Sequence, residues 1–194
     1  SGGVTAVTLL GQTVNSYHWP EGGRTVRLAD LLRRLSAMGG LRRIRFVTNY
    51  PGDFDPAIFQ AMRDLEPVCP YLHLPAQSGS DRILRAMNRG YRRAEYDELV
   101  DRARQTVPGI AIAGDFIVGF PGETEEDFAA SADLVRRSRY KNSYIFKYSP
   151  RPGTPAERRL CDDVDEQTKR RRNRQLLAVQ QAVSLAENRA WIGQ

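Results

Sequence analysis

The sequence predicts an α/β fold, read as an open, partial barrel that lacks its first βα unit. Two observations about pattern and one about length carry this. Short apolar runs rich in β-branched and aromatic residues recur along the chain, and segments of helical period separate them. Their alternation is the mark of a parallel sheet with right-handed crossovers. The third is length: the 194 residues hold five such units, short of the eight that close a barrel of ~250 residues. A doubly wound sheet is the alternative, and strand order is what separates the two.

The expected strands are "VTAVTLL" (4–10), "IRFVT" (44–48), "YLHLP" (71–75), "IAIAGDFIVG" (110–119) and "SYIFKY" (143–148). "LADLLRRLSAM" sets Leu28, Leu31, Leu32 and Leu35 on one helical stripe. "DPAIFQAMRDL" begins with Asp55 as N-cap and Pro56 at the first helical position. "SGSDRILRAM" and "ETEEDFAASADLVRRS" open on capping-box patterns, Ser78 with Asp81 and Thr124 with Asp127. A long final helix over about 166–190 would bury Leu176, Val179, Val183 and Ala186.

The chain is 41% hydrophobic, enough for one domain with a core. No apolar run reaches the length of about 18 residues that would predict a membrane span. Its opening residues lack the basic flank and cleavage pattern of a signal peptide. There is no initiator Met, so the chain reads as part of a longer protein. Net charge is +6, nearly all from Arg, with Lys only at 141, 147 and 169. Such a balance suits a polyanion such as RNA or reflects an Arg bias alone. Cys69 and Cys161 are the only cysteines. They fit a reducing cytoplasm and form no CxxC or CxxxCxxC cluster, so no metal site is visible.

In parallel α/β folds ligands bind at the carboxyl ends of the strands. Those ends offer Gly11, Gln12 and Asn15, then Asn49, then Gln77 and Ser78, then Asp115 and Gly119, then Tyr148, Ser149 and Arg151. Amides and hydroxyls with a single carboxylate suit hydrogen bonding to a polar ligand that carries a ring and hydroxyls, and suit acid–base or nucleophilic catalysis poorly. Neither His18 nor His73 has a partner set for nucleophilic catalysis, and His73 is expected to pack within its strand. "GFPGET" lacks the Lys of a phosphate loop and leads into an acidic turn. Asp115 lies in the apolar run "GDFIVG". It needs a partner or a site to face, since a buried unpaired carboxylate costs several kcal/mol. It either points into the site or pairs with a neighbouring Arg for structure.

"VTLLGQTVNSY" (7–17), "HLPAQSGSDRILRAMNRGY" (73–91), "DFIVGFPGETEEDF" (115–128) and "FKYSPRPGTPA" (146–156) are together similar to the radical SAM methylthiotransferase family, over most of the chain. "QSGSDRIL" with "FKYSPRPGT" resembles its tRNA-modifying branch that acts on dimethylallyladenosine; a sister branch acting on threonylcarbamoyladenosine shares "QSGSDR". The resemblance implies a partial (β/α)6 barrel of the radical SAM type, S-adenosylmethionine and a [4Fe–4S] cluster as cofactors, and addition of a methylthio group to C2 of a modified adenosine next to the anticodon. It implies tRNA as partner, a sulfur donor and an electron donor it does not identify, and a cytoplasmic setting without a membrane. It places Gln12 at the methionyl amino group, Asn49 and Gln77 at ribose, Asp115 in the same site, Arg89 at the methionyl carboxylate, and Tyr148 and Ser149 at adenine. No catalytic or metal-ligating residue is assigned. The family's CxxxCxxC motif is absent, as are its N-terminal methylthiotransferase domain and its C-terminal RNA-binding β-domain. Residues 1–194 are therefore expected to be a single core fragment, inactive alone, with the cluster ligands outside it.

"KRRRNR" (169–174) opens the final helix with cations, against the macrodipole. RNA phosphate contact and a solvated face balanced by the acids at 162–166 both account for it. A non-catalytic basic α/β module that binds RNA or a nucleoside is the reading from another class.

Overall fold

The computed structural model describes residues 3–189 and Ile192. The chain divides into two compact units, Ser1–Pro75 with Glu98–Ala111, and Ala76–Asp97 with Ile112–Gln194.

The first unit contains β1 (Ala6–Leu9), an antiparallel hairpin of β2 (His18–Glu21) and β3 (Arg24–Arg27), α1 (Leu28–Ala37), β4 (Arg43–Phe46), α2 (Ala57–Asp64) and β5 (Tyr71–His73). β1 and β4 pair in parallel, Ala6 to Arg43 through Leu9 to Phe46. Strand alternation sends Ile44 and Phe46 to one face, where they are buried, and Arg43 and Arg45 to the other, which is exposed. Leu28, Leu32, Ile58 and Phe59 of the two helices are also fully buried, so the apolar stripe read from 28–35 is the helix's core face. Each such side chain contributes about 1.5–3 kcal/mol by burial. The hairpin, turning at Gly22 and Gly23, stands where the sequence predicts no element.

The second unit contains α3 (Asp81–Ala86), the start of α4 (Arg93–Thr106), β6 (Ala111–Val118) apart from its first residue, α5 (Glu125–Ser138), β7 (Asn142–Lys147), α6 (Pro155–Arg159) and α7 (Glu166–Arg189). β6 and β7 are parallel, with Asp115 opposite Tyr144 and Ile117 opposite Phe146. Phe116 and Val118 are fully buried, and Phe116 meets the ring of Tyr140 edge-on at 5.8 Å between centroids. Asp115 and Ile117 share the opposite face and are half-buried. Beside them stand the exposed rings of Tyr144 and Phe146, 6.5 Å apart and 16° from parallel.

α5 begins on the expected capping box. Thr124 Oγ1 accepts from the Asp127 amide, and Asp127 returns the bond to Thr124 N at 2.9 Å. α3 differs. Its N-cap is Ser80, two residues after the expected Ser78, because Ser78 is drawn into a buried hydroxyl pair with Ser131. The final helix also differs. Leu176 is buried, but Ala186 is exposed, and Lys169, Arg172 and Gln180 complete the buried stripe in its place.

Candidate functional site at the strand ends

In the first unit, the residues following β1 and β4 are tied together by Asn15, whose Nδ2 donates to the carbonyls of Tyr50 (3.0 Å) and Asp53 (2.6 Å) and whose Oδ1 accepts from Tyr50 N (2.7 Å). Asn15 thereby spends its amide on structure. Gln12 lies exposed in the turn after β1. Asn49, after β4, is buried; its main-chain and side-chain N–H groups both donate to His73 O, at 3.3 and 2.8 Å, and its Oδ1 is buried with no partner. A buried amide oxygen left unpaired is costly and is a ready acceptor for a hydroxyl. Next to it, Thr48 holds φ = 66°, a conformation that a β-branched residue rarely adopts. His73 Nδ1 accepts from Thr48 N at 3.2 Å, so the imidazole is a structural brace. An open cleft of about 460 Å³ lies against Leu9, Leu10, Val14, Leu28 and Leu31, with Thr13, Ser16, Tyr17 and His18 also lining it.

In the second unit, Gln77 is locked to β6 on both sides of its peptide, its N–H donating to Asp115 O at 2.7 Å and its C=O accepting from Ile117 N at 2.9 Å. It does so at φ = 68°. Of the four described non-glycine residues with positive φ, Asn88 and Arg139 follow helix ends, and the other two, Thr48 and Gln77, stand at expected strand ends. Strain of about 1–3 kcal/mol at such places persists only where the surrounding structure fixes it, and sequence gives no sign of it. The structure thus brings Gln77, through an isolated parallel bridge to Phe116, beside Asp115 of β6. It also carries the chain beyond β7 alongside β6, through Tyr148 N donating to Val118 O at 2.9 Å. Tyr148 is half-buried, its ring edge-on to Phe120 at 5.1 Å, and burial pushes its phenol up. Ser149 is exposed. Arg89 is half-buried behind α3 with Nε buried and unpartnered, a free donor suited to an anion. Gln12 and Asn49 belong to the first unit.

The motif residues around these ends act mainly as framework. At Gly79 a Cβ would overlap the carbonyl oxygen of Ala130, so the "QSGS" turn presses directly onto α5. Ser80 Oγ donates to Asp127 Oδ1 (2.6 Å), Thr124 Oγ1 to its Oδ2 (2.8 Å), and Arg82 pairs with the same carboxylate and with Gly122 O. Burial opposes ionisation of Asp127, but these hydrogen bonds, Arg82's foremost, hold its carboxyl well below the usual carboxylate range.

Sequence reading missed Glu123. Its carboxylate is buried, and Oε2 accepts from Gly119 N at 2.7 Å and from Arg172 Nη1 of α7 at 2.8 Å. Burial pushes Glu123 up, against the pull of the Gly119 amide and Arg172. Gly119 holds φ = 70°, and a Cβ there would run into the stem of Lys169. The Lys169 Nζ lies over the Tyr148 ring at 5.3 Å. The only advance signal was an acid within "GFPGE" and a cation 49 residues later in a basic run, with nothing in the sequence to join them.

Among the described residues no three of His, Cys, Asp and Glu gather as a metal site. Cys69 is half-buried and Cys161 exposed, one in each unit, and both are free. These residues do not fit an iron–sulfur cluster. Two buried polar atoms stand unpaired, Asn49 Oδ1 in the first unit and Arg89 Nε in the second, and within the second unit the rings of Tyr144 and Phe146 adjoin Asp115 and Ile117.

The comparison with known families settles the class. The family model described as the radical SAM superfamily matches residues 1–135, and the chain belongs to that superfamily. Coproporphyrinogen III oxidase from Escherichia coli, a radical SAM enzyme, superposes with a TM-score of 0.64 at 19% identity over 80% of this chain and 36% of its own, which shows the same α/β fold. More particularly, the chain is similar to tRNA-2-methylthio-N(6)-dimethylallyladenosine synthase of Rhodopirellula baltica, 51% identical over 98% of this chain and 40% of the relative. The enzymes of that name from Bartonella tribocorum and Bartonella quintana are each 50% identical over 86% of this chain and 36% of theirs. The chain therefore spans well under half the length of these relatives. No helix among the described residues is long and apolar enough to cross a membrane.

Proposed function

We propose that this chain is the S-adenosylmethionine-binding core of a cytoplasmic tRNA methylthiotransferase, which adds a methylthio group to C2 of a dimethylallyl-modified adenosine next to the anticodon. The observation that carries the reading is identity of about half of all residues, over nearly the whole chain, to synthases bearing that name. The strand-end chemistry agrees with it. When bound, S-adenosylmethionine supplies the radical chemistry of the superfamily. Asn49, with its unpaired Oδ1, is the acceptor for a ribose hydroxyl, and Gln12 the exposed amide assigned to the methionyl amino group. Gln77 and Asp115 offer an amide and a carboxylate side by side at β6, Tyr148 and Ser149 offer main-chain groups to adenine, and Arg89 offers a guanidinium N–H to the methionyl carboxylate. Any cluster would take its ligands from outside the described residues, and the N-terminal and RNA-binding domains of the family would flank this core.

The test is nucleoside mass spectrometry of tRNA from cells lacking the full-length gene. The methylthiolated nucleoside disappears and its dimethylallyl precursor accumulates; an unchanged profile overturns the reading. In the purified full-length protein, Asn49→Ala weakens S-adenosylmethionine binding in equilibrium dialysis about five- to thirtyfold, the worth of one buried hydrogen bond of about 1–2 kcal/mol.

A further inference from the structure

We propose that the exposed face of the β1–β4 ladder, carrying Arg42, Arg43 and Arg45, is a contact surface for RNA phosphates. The inference rests on the tRNA reading above and names where the substrate's backbone would meet this chain.

Arg43 and Arg45 project from the same side of β4. Two steps of strand rise set them about 6.6 Å apart. Their register partners on β1 are Ala6 and Thr8, too small and neutral to cover or neutralise them. Arg42 stands one residue before the strand, tied by its amide to Thr5 O at 2.7 Å, with its side chain exposed. None of the three guanidinium groups makes a hydrogen bond or an ion pair among the described residues, and the reason is legible. No Asp or Glu occurs before Glu21, and none between Asp30 and Asp53, so neither strand holds an acid. The segment along the other edge of β4, joined through Ile44 N to Pro67 O, brings exposed Glu66, which forms no ion pair with any of the three. Elsewhere in this unit the arginines that have carboxylates within reach use them: Arg33 on Asp30, Arg34 on Glu21, Arg63 on Asp64.

Three uncompensated charges side by side repel one another, and a polyanion relieves that repulsion while releasing its counterions. Guanidinium is also the side chain best matched to phosphate, through paired N–H donors. On the paired strands, Tyr144 and Phe146 face Asp115 and Ile117 with no cation among the four, and Arg43 and Arg45 face Ala6 and Thr8 with no aromatic ring among the four. The β4 face therefore fits backbone rather than bases, the contact class that sets affinity and position without reading sequence.

The experiment measures binding of substrate tRNA to the full-length protein from about 50 to about 300 mM salt. It compares wild type, Arg42→Gln/Arg43→Gln/Arg45→Gln, and Arg170→Gln/Arg171→Gln as a control in paired arginines. Loss of three phosphate contacts makes the slope of log K against log salt shallower by about 2–3 and weakens binding about a hundredfold at the low-salt end, with the control at the wild-type slope. A wild-type slope in the triple variant overturns the proposal. If that variant also melts lower than wild type, the face instead packs an acidic segment of the longer protein. The two readings fail separately. Unchanged tRNA nucleosides in gene-deleted cells, with Arg-dependent RNA binding retained, sink the enzymatic reading alone; lost methylthiolation with Arg-independent binding sinks this one alone.

Discussion

On α7, Lys169, Arg170, Arg171 and Arg172 occupy four consecutive positions, and each is matched with acid: Lys169 with Asp162 at 2.6 Å, Arg170 with Glu166 at 2.8 Å, Arg171 with Glu125 at 2.7 Å, and Arg172 with both Glu123 and Glu125. On and beside β4, Arg42, Arg43 and Arg45 crowd into four positions with no acid on either paired strand and no ion pair among the described residues. Composition would rank the helix as the stronger RNA candidate. Structure reverses the order, because two of these four cations are buried, Arg171 and Arg172 hold α7 to Glu123 and Glu125 after β6, and Lys169 and Arg170 are paired with Asp162 and Glu166. A cation run is a binding surface only to the extent that its own chain leaves it uncompensated.

Arg172→Met probes the paired side hardest. It leaves the Glu123 carboxylate buried without its cation, and unfolding by urea should show a loss of about 3–5 kcal/mol. Next comes the acid limb of stability. Asp127 titrates below its ordinary value of 3.8 in the folded state. Its contribution is therefore complete above about pH 4 and is lost as pH falls toward the folded value. Asp127→Asn should lower the melting temperature at pH 7 and flatten the fall in melting temperature between pH 4 and pH 2.5; a parallel fall in both proteins would show that the carboxylate is not what titrates. The smallest effect belongs to exposed pairs. Arg171→Gln should leave the melt at pH 7 close to wild type, because its partner Glu125, although held down to about 2, is largely exposed and screened. Arg45→Gln should be as silent in the melt, differing only when RNA is added.

Much of this is legible in the sequence. The five apolar runs form five strands because β-branched alternation reports burial directly. Strand-end reading singles out Asn49, Gln77 and Asp115; that Gln77 bonds to the Asp115 carbonyl and that Asn49 is buried with an unpaired Oδ1 comes from the structure. What stays hidden has physical causes. α4 has no counterpart among the expected helices, although Tyr96, Leu99, Val100 and Ala103 are buried at helical spacing, because charged residues fill the rest of its turns. The hairpin of β2 and β3 buries Val26 almost alone and offers little alternation to read. The stripe of α7 departs from expectation at Ala186 because hydropathy cannot place Lys169 and Arg172 in a core. Only partners distant in sequence make them tolerable there. The left-handed backbone of Thr48 and Gln77 is a product of tertiary constraint and has no local signature.

Helix α7 has a practical meaning for anyone trimming this protein. The superfamily match ends at residue 135, yet the peptide at Gly119 leans on the stem of Lys169, Glu123 is neutralised by Arg172, and Gln180 caps the carbonyl of Tyr140. A recombinant piece cut where the match stops would expose the underside of the loop that follows β6, so the smallest workable module extends through the last turn of that helix.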